Sequence, residues 1–160
     1  MIDTADVNEA CLDGFRSGYA DLFIDYHAKQ FSWTPDYARA VTCDAVRFMA
    51  LCAKPPSSIR MISSPDVDKI VDAIMLDTLL LRWLEKNVFG AGIVHVPFYA
   101  HGVTDPGINN ARYDFTIMLM QAAGYEVDPQ IWPSRLPVDY ATCTASNDLE
   151  DCQMYAQPLE

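Results

Sequence analysis

The chain has 160 residues, of which 51% are hydrophobic and 21% charged, with a net charge of −11; this is the make-up of one folded domain with a real core. No lysine or arginine cluster offsets the acidity, which excludes a nucleic-acid partner, since phosphates need a basic patch, and disfavours an anionic membrane surface. No run of about 18 apolar residues occurs and the start, MIDTADVNEA, is polar, so neither a transmembrane span nor a conventional signal peptide is predicted.

In chain order, residues 1–31 read as helix, with Thr4 as cap and with Gly14 and Gly18 as points where it can divide in two. Tyr19, Leu22, Phe23 and Tyr26 fall at i, i+3, i+4, i+7 and predict a buried aromatic face. The second helix starts at Thr34-Pro35-Asp36, a cap followed by a first-turn proline and an acid that suits the helix dipole. It is predicted to reach Ala53, with Val41, Ala45, Phe48 and Cys52 on one face, and to stop at Lys54-Pro55-Pro56. The third begins in the same way at Ser63-Ser64-Pro65-Asp66 and is predicted to run unbroken to Val88, closed by Gly90-Ala91-Gly92. Its stripe of Val67, Ile70, Ile74, Asp77, Leu81 and Leu84 is apolar except for Asp77. Met75, Leu79 and Trp83 add a second apolar face, so this helix is expected between neighbours. The stretch 93-IVHVPFY-99 reads as a buried loop, with a small strand as the alternative. A last helix over 105–124 is predicted to bury Ala111, Phe115, Met118 and Ala122 and to end at Gly124. Beyond it the prolines Pro129, Pro133, Pro137 and Pro158 break any period, and Ile131 and Trp132 are the expected anchors.

The fold class that follows is all-α: a single-domain helical bundle of four to five helices over residues 1–135, with an irregular C-terminal tail, 136–160, packed on or near the same domain. The five cysteines, Cys11, Cys43, Cys52, Cys143 and Cys152, are odd in number and form no Cys-x-x-Cys pair. They read as reduced thiols in the cytoplasm, with Cys43 and Cys52 as small core residues; Cys143 and Cys152 would be the pair if oxidised.

Three pieces, 47-RFMALCAKPP-56 with 64-SPDVDKIVDAIMLDT-78, then 89-FGAGIVHVPFY-99, then 124-GYEVDPQIWP-133, together resemble the glycine-rich-domain-containing-protein-like family of helical domains. In that family the third helix reads Asp, two residues, Trp-His, one residue, His, then Ile-Leu-Asp-Thr. Asp68, Leu76, Asp77 and Thr78 match, as do Phe89-Gly90, the His95-x-Pro97 step and Ile131-Trp132-Pro133. Val71 stands where the tryptophan would be, and Asp72 and Ile74 stand in place of the two histidines. The family has no established common activity, so the resemblance implies a fold more than a function. It also implies a polar cluster of metal-site type between the third helix and the His95 loop, from which this chain has lost both helix histidines.

The residues that carry candidate chemistry are therefore Asp72, Asp77 and His95. A carboxylate on an apolar stripe must be paired, hydrogen-bonded or neutral. Asp77 is accordingly either an acid–base group or a lock accepting hydrogen bonds within the bundle. Asp72 either keeps a ligand or base role at the old histidine position or is a solvated acid beside Lys69. His95 lies where a loop can aim it at the third helix; His101, before Gly102, reads as an exposed turn residue, and His27 carries no strong case. His95, Asp72 and Asp68 offer a mixed nitrogen–oxygen set, but without the spacing of a known metal motif. The sequence also lacks a Gly-x-Ser-x-Gly elbow, a phosphate loop and a dinucleotide fingerprint.

Two functions stay open. One is a small enzyme of a biosynthetic pathway working without metal or cofactor, in which Asp72, Asp77 and His95 carry out acid–base chemistry (dehydration, isomerisation or cyclisation) on a small, largely apolar molecule held by Tyr19, Tyr26, Trp83, Phe98 and Tyr99. The other is a non-catalytic small-molecule-binding or protein-interaction domain whose histidine site has decayed. Either has a small-molecule ligand as its expected partner, neither nucleic acid nor membrane, and room for a homodimer.

Overall fold

The computed structural model describes residues 18–53, 61–95, 106–137 and 154–157. Gly18 takes φ 84°, a left-handed conformation that glycine adopts without strain, and α1 (Tyr19–Phe31) starts from it. The buried stripe of α1 is Ala20, Phe23, Ile24, His27 and Ala28. This corrects the predicted aromatic face, of which Phe23 alone is buried: Tyr19 is half-buried, and Leu22 and Tyr26 are 70% and 64% exposed. The small side chains Ala20 and Ala28 lie on the buried stripe in place of the larger Leu22 and Tyr26.

Helix α2 (Pro35–Cys52) begins as its cap chemistry predicts, with the Thr34 hydroxyl accepting the Tyr37 N–H at 3.2 Å. It packs against both α1 and α3, and every residue from Val41 to Val46 is buried. It is the central rod of the bundle. Ser64 caps α3 (Pro65–Leu76) on Val67, and Val67, Ile70 and Ile74 are sealed from solvent.

The predicted unbroken third helix is three pieces. At Asp77 the backbone leaves helical geometry (φ −86°, ψ 85°), then resumes as α4 (Thr78–Leu84) and widens into a π turn, Glu85–Phe89. Asp77 terminates one helix and caps the next, which permits the break. Leu81 and Leu84 still reach the core, but Leu79 on the second face is 56% exposed. Glu85 is buried beneath the π turn; its Oε1 accepts the Ile93 N–H at 2.8 Å and its Oε2 accepts from Arg82 at 2.8 Å. Ile93 belongs to a strand, β1 (Gly92–His95), where a loop was expected. It pairs antiparallel with β2 (Met154–Gln157) in the tail, with Ile93 opposite Ala156 and His95 opposite Met154.

Helix α5 (Pro106–Ala122) ends before Gly124, which takes φ 83°. Its buried side chains are Asn109, Tyr113, Thr116 and Met120, not the predicted set; Met118 is 51% exposed, and Ala111 and Ala122 are exposed. Two polar members disguise this stripe. Thr116 Oγ1 donates to the Arg112 carbonyl and accepts the Ile62 N–H, while Tyr113 donates to the Pro133 carbonyl at 2.9 Å. Ile131 and Trp132 are both 2% exposed and anchor the following chain as expected. The fold is all-α, a bundle of five helices with one short β ribbon among the described residues, and no described helix is long and apolar enough to cross a membrane.

The reassigned face of α5 is checked by two truncations. In urea unfolding, Met120→Ala is expected to cost about 2–5 kcal/mol by opening a cavity. Met118→Ala is expected to stay within about 0.5 kcal/mol.

Candidate functional site

Tyr19 and Asp77, both picked out in the sequence, meet: the Tyr19 hydroxyl donates to Asp77 Oδ2 at 2.5 Å across a separation of 58 residues. Asp77 Oδ1 accepts the Leu80 N–H at 3.1 Å, the cap that restarts the helix. The carboxylate is half-buried, engaged by one backbone and one phenolic donor.

His27 joins this cluster, although the sequence argument gave it no role. It is buried, with its ring edge-on to Phe23 at 4.4 Å and stacked on Phe31 at 5.8 Å, and with Nδ1 3.0 Å from Gln30 Oε1. Burial lowers its pKa below the ordinary 6.5, while the Gln30 contact and the Asp77 charge oppose the shift. The signal available in the sequence was its place on the same stripe as Ala20, Phe23 and Ile24.

Among the described residues, the other sequence candidates lie at the edge of this cluster or away from it. Asp72 is exposed on α3, and Lys69, expected beside it, bonds Asp66 at 2.7 Å and sits over the Phe31 and Trp33 rings. Asp68 accepts the Ser63 hydroxyl at 3.0 Å. Tyr26 touches His27 edge-on but is largely exposed, and Trp83 is half-buried on α4. His95 is described as a backbone position in β1, while Phe98, Tyr99 and His101 lie outside the described residues. Among the described residues no group of three His, Cys, Asp or Glu side chains is arranged to hold a metal ion.

A second locus, absent from the sequence argument, lies where the chain after α5 crosses α2. Asp44, in the middle of α2, is 3% exposed. Its Oδ1 accepts from Arg47 at 2.8 Å and its Oδ2 accepts the indole N–H of Trp132 at 2.8 Å. Burial pushes the Asp44 carboxyl above the usual carboxylate range; the Trp132 and Arg47 bonds pull it down, and the charge of Asp128 adds to the push. The Arg47 guanidinium lies 5.3 Å from the centre of the Tyr125 ring. Asp44 and Arg47, with Cys43, line one side of an open groove of about 520 Å³. Ala40, Val127, Pro129 and Ile131 supply its apolar surface, and Glu126 and Asp128 its acidic rim. The groove is open and is lined by both apolar and charged groups. Asp44 raises the question first asked of Asp77, an acid among apolar neighbours, and that pattern was its sequence signal.

The chain matches no family model, no curated protein and no solved structure.

Two measurements test these assignments. Asp77→Ala is expected to cost about 1–2 kcal/mol in urea unfolding through loss of the cap, and Asp72→Ala to change stability by less than about 0.5 kcal/mol. The His27 pKa is lower in the folded than in the unfolded chain, so the unfolded state binds the extra proton first. Stability therefore falls as the pH drops below 6.5. His27→Gln should flatten that part of the curve of unfolding midpoint against pH.

Proposed function

We propose that the chain is a cytoplasmic binding domain for a small, partly apolar molecule, taken up in the groove between α2 and residues 125–131, with no chemistry performed on the ligand. The observation that carries this reading is the groove itself, whose wall is locked by Asp44, Arg47 and Trp132 before any ligand arrives. Preorganisation of that kind reduces the ordering cost of binding. The duties of the other carboxylates agree with it: Asp77 caps a helix, Asp68 bonds Ser63 and Asp72 is exposed.

We also propose membership of the glycine-rich-domain-containing-protein-like family, resting on the sequence resemblance. Asp68 and Asp77, which match the family pattern, hold the framework, whereas Asp72, which departs from it, is an exposed position. On this reading the domain has kept the fold and lost the histidine site.

The bond between Tyr19 and Asp77 beside buried His27 favours a second reading, the acid–base enzyme, with that cluster doing the proton transfer. The two differ in where a ligand lands. In a fragment screen followed by amide chemical shifts, the binding reading expects perturbation at Ala40, Val127 and Ile131, abolished by filling the groove with Ala40→Leu. Perturbation centred on Tyr19, His27 and Asp77, or binding that survives Ala40→Leu, would overturn it in favour of the second.

A further inference from the structure

The ligand's chemical class follows from the charges around the groove, and the inference rests on the binding reading above. We propose that the groove takes a small organic ammonium ion, a primary amine on a short apolar body. Arg47 is the cation lining the groove, and it is engaged: its Nη1 bonds Asp44 at 2.8 Å and its plane lies over Tyr125. The pair cancels, so Arg47 is not available to a carboxylate or phosphate ligand unless the buried Asp44 is left without it, and stripping one partner from a buried pair is strongly unfavourable. Glu126 and Asp128 then set the sign of the groove. Both are exposed, and neither is in an ion pair among the described residues. Asp128 is fixed in a turn by the Gln130 N–H at 2.8 Å, which holds its charge at the rim.

The apolar surface of Ala40, Val127, Pro129 and Ile131 argues against a bare metal ion, which would leave those side chains without a partner. It also gives the carbon body of an amine a place to bury. An ammonium group at the rim meets Glu126 and Asp128, and it screens the repulsion between Asp128 and buried Asp44. The net charge of −11 steers cations toward the whole surface and raises their rate of encounter.

The test compares three probes of one length on the full chain at low salt: hexylammonium, hexanol and hexanoate, followed by calorimetry and by amide shifts in the groove. Hexylammonium is expected to bind about tenfold more tightly than hexanol, and hexanoate more weakly than either. The double variant E126Q/D128N, altered at exposed positions, should bring hexylammonium down to the level of hexanol. Hexanol binding as tightly as hexylammonium, with shifts in the groove, overturns the ammonium assignment and leaves the binding reading standing. Failure of all three to shift groove resonances overturns both. A fourth probe, N-acetyl-lysine N-methylamide, separates a free amine from a lysine on another protein: it should bind more weakly than hexylammonium, and tighter binding overturns the small-molecule assignment.

Discussion

The hydrogen bond from the Trp132 indole to Asp44 spans 88 residues and joins the chain after α5 to the middle of the central helix. Each end depends on the other. Asp44 is an acid inside a helix buried nearly all round, and its ionised form is tolerable there because Arg47 and Trp132 occupy its two oxygens. Trp132 is among the largest fully buried side chains, stacked on Tyr113 at 6.0 Å and tilted against Phe48 at 6.4 Å, and its polar edge needs an acceptor. Tyr113 in turn donates to Pro133, so α5, α2 and the segment after Gly124 are tied at one place. The groove is a by-product of that tie, because the chain must cross α2 to bring Trp132 to Asp44.

Asp77 organises the other side of the bundle by a different means. It ends α3, begins α4 and takes the Tyr19 hydroxyl from α1, so three helices register on one carboxylate. A continuous helix there would carry the acid on its buried stripe. The break turns that conflict into a cap.

What could be read from the sequence divides along the same line. Helix starts at Thr34-Pro35 and Ser64-Pro65 were legible because capping is local chemistry, settled within four residues. Val41, Ala45 and Phe48 on α2 and the anchors Ile131 and Trp132 were legible because they are plainly apolar, whereas Cys52, expected beside them, is only half-buried and Thr42 is buried in spite of its hydroxyl. The buried face of α5 was not, because Asn109 and Thr116 lie on it and a polarity count assigns them to solvent. The rotation of α1 was hidden for a related reason: Ala20 and Ala28 are buried while the more hydrophobic Leu22 and the aromatic Tyr26 are exposed, so a hydrophobicity count picks the wrong face. Asp44 went unnoticed because its partner is remote in sequence. Tyr19 and Asp77 were singled out for separate reasons, an aromatic face and an anomalous stripe, and nothing in either pattern said that they would touch.

The clamp between Glu85 and Ile93 and the ribbon it borders differ in the length of chain each must close. Eight residues separate the carboxylate from the amide it accepts, so that loop closes at little entropic cost. The partner strand, Met154–Gln157, lies far along the chain and must arrive from a much larger loop. Strand β1 is thus tied to a helix through a short loop, independently of its pairing with the far more distant β2.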